Sequence, residues 1–167
     1  MLGYDGSYAG AVAVGANVYF APSNERDVGM FNTTSQVFSY VAEVPGERSS
    51  EGLTYTEKYN GAAAVGALVV FAPHHQDNVG VLDTITNVFT TVATTGDAAS
   101  GNYKYRGAVA VGNIVYFAPS SQNNVGIFNT TSNTFSTVAT TGVAASSGQS
   151  KYDGAVAVVG RCMLTPC

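Results

Sequence analysis

All three lysines of the chain, Lys58, Lys104 and Lys151, stand immediately before a tyrosine: Tyr59, Tyr105 and Tyr152. Ammonium groups recurring at one position of a repeated unit would gather at one place if the units are arranged around a centre, and would attract an anion or an acidic partner there. These six residues are the candidate ligand-binding set, at the mouth of a central channel. The competing reading is that a duplicated segment copies its surface lysine, whose stem lies over the tyrosine, so that Lys104→Ala leaves folding almost untouched. The tyrosines are then packing residues whose hydroxyl finds a partner.

His74 and His75 are the only histidines. Neighbours in an extended loop point apart, and Asp77 is the sole nearby carboxylate, so a solvated loop is expected and no metal site. Asp83 stands where the other units carry Asn32 and Asn129, and a side chain of that kind caps a turn. Asn32-Thr33-Thr34 and Asn129-Thr130-Thr131 match the glycosylation acceptor pattern. The chain has no Gly-rich phosphate loop and no serine at a nucleophile elbow, and its four arginines are scattered. No catalytic residue and no cofactor are predicted.

With 11 acidic against 7 basic side chains in 167 residues, there is no basic stripe to neutralise phosphates, and a nucleic-acid partner is not expected. Gly107 to Ser150 carries no charge, yet Ser, Thr, Asn and Gln interrupt it, so no membrane-spanning helix is predicted. The opening residues lack a basic and an apolar region of a secretory signal, which makes the cytoplasm the default compartment. Cys162 and Cys167 lie together near the C-terminus and match no four-ligand metal set.

The elements that hold these residues follow from an internal repeat. Tyr8, Tyr59, Tyr105 and Tyr152 each open a near-copy of one segment. Tyr8–Val41 shares 23 of 34 positions with Tyr105–Val138, and Tyr59–Val92 shares 19 of 34 with it, too many for chance. Units are assigned to 8–58, 59–104 and 105–151, with a partial fourth at 152–160 and a divergent tail at 161–167. Within a unit, Ala11–Val14, Val18–Phe20, Val28–Phe31 and Val37–Val41 are short β-branched and aromatic runs separated by Gly-Ala, Ala-Pro and Asn-Thr-Thr-Ser turn signals. The fold class is all-β. Four antiparallel strands per unit of this length make a propeller blade, so the expected architecture is three four-stranded blades plus one extra strand, a partial propeller. Blades covered on both flanks explain the scarcity of charge. Small residues mark the first strand as the innermost, and Phe38, Phe89 and Phe135 mark the last, where the wedge widens.

On these residues the chain resembles the kelch repeats of galactose-oxidase-like propellers: a Gly-Ala-Val-Ala-Val strand, a turn, Val-Tyr-Phe, and Phe31-Asn32-Thr33-Thr34 where kelch repeats carry Tyr-Asp-Pro-x-Thr. Ala-Pro replaces the family's double glycine, and phenylalanine its last-strand tryptophan. Galactose oxidase's copper set of tyrosines, separated histidines and a cysteine-linked tyrosine is absent. The resemblance implies a non-enzymatic binding or scaffold module presenting loops to a protein or glycan. Two alternatives stand beside it: a piece of an enzyme whose channel-mouth site needs further blades, and a secreted adhesive repeat protein. Near-identical units argue against the enzyme, since catalytic centres break repeat symmetry. Propellers close with about four to eight blades, so the chain is read either as a piece of a longer propeller or as one half of a ring that a homodimer completes. The joints vary most, and the longest, Ala42 to Lys58, carries Glu43, Glu47, Arg48, Glu51 and Glu57 as a possible recognition loop.

Overall fold

The computed structural model describes residues 7–45, 57–145, 148, 150–158 and 161–166. Its strands are β1 (Tyr8–Val14), β2 (Asn17–Pro22), β3 (Asp27–Asn32), β4 (Val37–Glu43), β5 (Tyr59–Val65), β6 (Leu68–Pro73), β7 (Asn78–Asp83), β8 (Val88–Ala93), β9 (Tyr105–Val111), β10 (Ile114–Pro119), β11 (Asn124–Asn129), β12 (Thr134–Ala139), β13 (Tyr152–Val158) and β14 (Arg161–Pro166). They form three antiparallel four-stranded sheets, each in sequence order, and a two-stranded fourth. The fourth sheet goes one strand beyond what the sequence suggests. Residues 161–166 abandon the side-chain pattern of the repeat, but strand pairing uses backbone groups, and Arg161 to Pro166 pair along β13 from Val158 back to Tyr152.

Side-chain oxygens close the turns between third and fourth strands. Asn32 Oδ1 accepts from the backbone N–H of Thr34 and Ser35 at 3.0 and 2.8 Å, and Asn129 Oδ1 from Thr131 and Ser132 at 2.9 and 3.2 Å. Asp83 Oδ1 does the same for Ile85 and Thr86 at 2.8 and 3.1 Å, the capping role expected of it.

The sheets stack flank to flank with their first strands innermost, β1 against β5, β5 against β9 and β9 against β13. A glycine makes this approach possible. Gly61 lies at φ +97°, in a bulge of β5, and a Cβ placed on it would sit 2.5 Å from Gly107 Cα; on Gly107 it would sit 2.7 Å from Gly154 Cα. The column continues at Gly10, so neighbouring inner strands meet backbone to backbone.

Outward from this column, each seam mates unlike flanks. One flank is aromatic, Tyr59, Phe71 and Phe89 in the second sheet, with ring centroids 5.8 to 6.0 Å apart. It packs on the other flank of the first sheet, where Tyr19, Ala21 and Val28 are buried. Tyr105, Phe117 and Phe135 of the third sheet pack in the same way on Ala63, Val70, Val79 and Val81 of the second. In the first sheet the matching trio, Tyr8, Phe20 and Phe38, meets no such flank among the described residues, and Phe38 is 45% and Tyr40 62% exposed.

The two shorter joints carry 3-10 turns, Gly96–Ala99 and Gly142–Ala145. Of the charged residues in the longest joint, Glu43 pairs with exposed Arg26 and Glu57 is taken up below; Glu47, Arg48 and Glu51 lie outside the described residues. Among the described residues no helix is long and apolar enough to cross a membrane.

Candidate functional site

Because the hairpins are antiparallel, the start of each first strand and the loop between second and third strands share one end of the fold. Every residue of the predicted set sits there, but the lysines are not surface side chains. Lys58 is 3% exposed and Lys104 fully buried, while Lys151 is half-buried. Each carries the backbone across a seam: Lys58 N–H donates to Ser23 O at 2.8 Å, Lys104 N–H to His74 O at 2.9 Å, and Lys151 N–H to Ser120 O at 3.1 Å. The amines follow. Lys104 Nζ donates to Asp77 Oδ1 at 2.7 Å and to Gly101 O at 2.6 Å, and Lys151 Nζ donates to Gln122 O at 3.1 Å and to Asn123 Oδ1. Burial lowers the Lys151 pKa from its usual value.

Tyr59 and Tyr105 are fully buried in the aromatic flanks, and Tyr152 is half-buried at the start of β13. Burial pushes the Tyr59 and Tyr105 hydroxyls up in pKa, so they remain donors, to Asn78 Oδ1 and Asn124 Oδ1 respectively.

The latch role reverses the expectation for Lys104→Ala. Removing the amine leaves the part-buried carbonyl oxygen of Gly101 without its donor, while Asp77, 57% exposed, is rehydrated. Lys104→Met should therefore cost about 1–3 kcal/mol, less than a fully buried ion pair. A urea melt measures it, and an unchanged midpoint would contradict the latch.

The histidines also depart from the sequence reading. His74 is 1% exposed, its ring stacks on His75 at 4.9 Å with 8° between planes, and the Tyr103 ring stands edge-on to both, at 5.3 and 4.6 Å. Tyr103 is brought in by the next joint and holds the two rings parallel rather than apart. The carboxylate that meets them is Glu57, not Asp77, which is committed to Lys104. Glu57 Oε2 lies 3.5 Å from His74 Nδ1 and 3.3 Å from His75 Nε2. Neither ring nitrogen of His74 makes a well-formed hydrogen bond, nor do His75 Nε2 and Glu57 Oε2, though all are buried.

Burial, the neighbouring His75, and the charges of Arg106 and Lys104 bring the His74 pKa down to about 4, against the pull of the Glu57 backbone. Burial also lowers His75, against the pull of Glu57. Arg106 itself is engaged by Asp153 at 2.7 Å.

Glu57 and Tyr103 were missed as site residues, although a signal existed: they precede the repeat lysines, at a position where the duplicated units carry unlike residues. Both hold left-handed backbone, φ +35° and +56°, uncommon for such side chains. Three positions further on, Ala9, Asn60, Arg106 and Asp153 are equally unlike from unit to unit. Repeat symmetry is thus broken at this end of the fold, contrary to the near-identity of units read from the sequence.

No family model and no curated protein matches the chain. Solved structures do. It is similar to a virginiamycin B lyase from Staphylococcus aureus, at 14% identity and TM-score 0.73 over 99% of this chain and 51% of that one. It is also similar to a streptogramin B lyase, at 15% identity and TM-score 0.72 over 99% and 50%, and to BamB from Moraxella catarrhalis, at 14% identity and TM-score 0.58 over 93% and 39%. The chain spans about half the length of the two lyases. At such identities the likeness speaks for architecture, and with the seams above it settles that architecture: the chain builds part of a β-propeller.

Proposed function

We propose that this chain is a non-enzymatic binding module, part of a kelch-like propeller, whose loop-bearing end recognises a protein partner. The observation that carries the reading is the contrast between the two ends. At the turn end the three units repeat one capped Asx turn, whereas at the joint end Glu57, His74, His75, Tyr103 and Arg106 replace the residues of the other units. Both ends vary between units, as Thr34, Ile85 and Thr131 do at the turn end, but the unlike charged and histidine side chains are gathered at the joint end, as on a rigid scaffold that presents a recognition surface.

The same broken symmetry favours a second reading, an enzyme whose centre at this end is completed by further blades. The likeness to two lyases is compatible with it, but fold does not carry chemistry. A third element of the proposal concerns assembly: the aromatic flank of the first sheet is the face that packs on a neighbouring blade at the other seams, so a second copy is one way to cover it.

The test compares capture of binding proteins from the source cells by three forms of the chain. The unaltered chain and Ile85→Asp, a change at the opposite end where Ile85 is 81% exposed, should retain the same protein. The triple variant His74→Ser, His75→Asn, Tyr103→Ser should lose it. Equal capture by all three, or loss only with Ile85→Asp, would contradict the reading.

A further inference from the structure

We infer that Glu57, His74 and His75 form a site for a single divalent transition-metal ion of the zinc class, bound through His74 Nδ1, His75 Nε2 and Glu57 Oε2. The three donor atoms lie within 4.8 Å of one another. In a tetrahedral site with bonds of about 2.0–2.2 Å, neighbouring ligand atoms are separated by about 1.63 bond lengths, roughly 3.4 Å. The two histidine-to-carboxylate separations, 3.5 and 3.3 Å, already match that edge. Only the histidine-to-histidine edge has to close.

Three features of the cluster bear on the assignment. His74 is buried, yet both of its ring nitrogens lack a well-formed hydrogen bond, and the two other donor atoms are equally unsatisfied. Buried polar groups left this way are costly, and one ion satisfies three of them. Second, Tyr103 stands edge-on to both rings and holds them parallel, so an ion shared by their in-plane lone pairs needs one ring to turn as the histidine-to-histidine edge closes. Third, two imidazoles and a carboxylate are the ligand types suited to zinc, whereas magnesium and calcium take oxygen ligands.

The charges of Lys104 and Arg106 act against a cation here as they act against a protonated His74, and Asp77 and Asp153, each at 2.7 Å, offset them only in part. Three protein ligands leave a fourth position for water or for a group from a bound partner. The site is peculiar to the second unit, because the corresponding loop residues are Ser23-Asn24 and Ser120-Ser121 in the others. The inference stands apart from the binding-module reading: an ion held here would order the joint whether or not that face meets a partner.

The experiment titrates the untagged full chain with Zn2+ against a chromophoric chelator, and with Co2+ while following its visible spectrum. The expected result is one ion per chain with a tetrahedral, thiolate-free cobalt spectrum. Glu57→Gln should weaken binding at least about tenfold, in keeping with the losses seen when the surroundings of a metal ligand change. The double variant His74→Ser, His75→Asn, which installs the loop residues of the first unit, should abolish binding and keep the far-ultraviolet β-signal. If that variant fails to fold, Glu57→Gln decides. No binding by the unaltered chain, equal binding by Glu57→Gln, or intense thiolate charge-transfer bands placing the ion on Cys162 and Cys167 would each overturn the inference.

Discussion

Gly61→Ala is expected to be among the most damaging single methyl additions in this chain, costing roughly 2–6 kcal/mol. Two costs combine. An alanine forced to φ +97° pays left-handed strain of order 1–3 kcal/mol. Its Cβ would also meet Gly107 Cα at 2.5 Å and Gly107 N at 2.8 Å, backbone atoms that yield only if the whole inner strand β9 moves outward. Overpacking of that kind adds a further 1–3 kcal/mol or so. Gly66→Ala is the matched control, because Gly66 has φ +59° but no atom within 4 Å of its would-be Cβ. It should pay the strain alone. Urea melts of the two variants measure the difference, and equal midpoints would show that the inner strands do not meet at the glycine column.

Phe135→Ala should cost on the order of 3–5 kcal/mol, the loss typical of a large aromatic taken from a core. Phe135 is 8% exposed and packs on Tyr105 and Phe117 at 6.3 and 6.4 Å, over the aliphatic flank of the second sheet. Phe38 holds the same place in the first unit with the same ring partners, Tyr8 and Phe20 at 6.1 and 5.9 Å, but is 45% exposed. Phe38→Ala should therefore cost roughly half as much or less, since the burial lost is smaller. The comparison separates the contribution of the seam from that of the ring cluster within a sheet. Equal losses at both positions would mean that the seams contribute little.

How far each feature was legible in the sequence depends on how far apart its determinants lie. The four strands of a unit are marked by neighbouring residues, the small first strand and the Gly-Ala, Ala-Pro and Asn-Thr-Thr turns, and they formed where those signals stood. The Asp83 cap is local over three residues and was read correctly. The lysines were misjudged as surface groups because their burial is decided across a seam: Asp77, in the loop before β7 of the second sheet, meets Lys104 at the entry to β9 of the third, a relation of two sheets that no local window contains. The histidines were misjudged for the same reason. Adjacent rings would splay in an isolated loop, but Tyr103, 28 positions beyond His75, closes on them from the next joint. Strand β14 was invisible because side-chain pattern was the signal, whereas backbone pairing to β13 was the cause.

The most direct test of the stacked-blade arrangement that places this site is amide hydrogen exchange along the chain, followed by mass spectrometry. Exchange from the native state reports how firmly each strand is held by its surroundings. Segments 59–65 and 105–111, the inner strands flanked on both sides by neighbours, should exchange slowest, while 37–43, on the outer edge of the first sheet, should exchange fastest among the strands. Protection of 37–43 equal to that of the inner strands, or rapid exchange at 59–65 and 105–111, would contradict it.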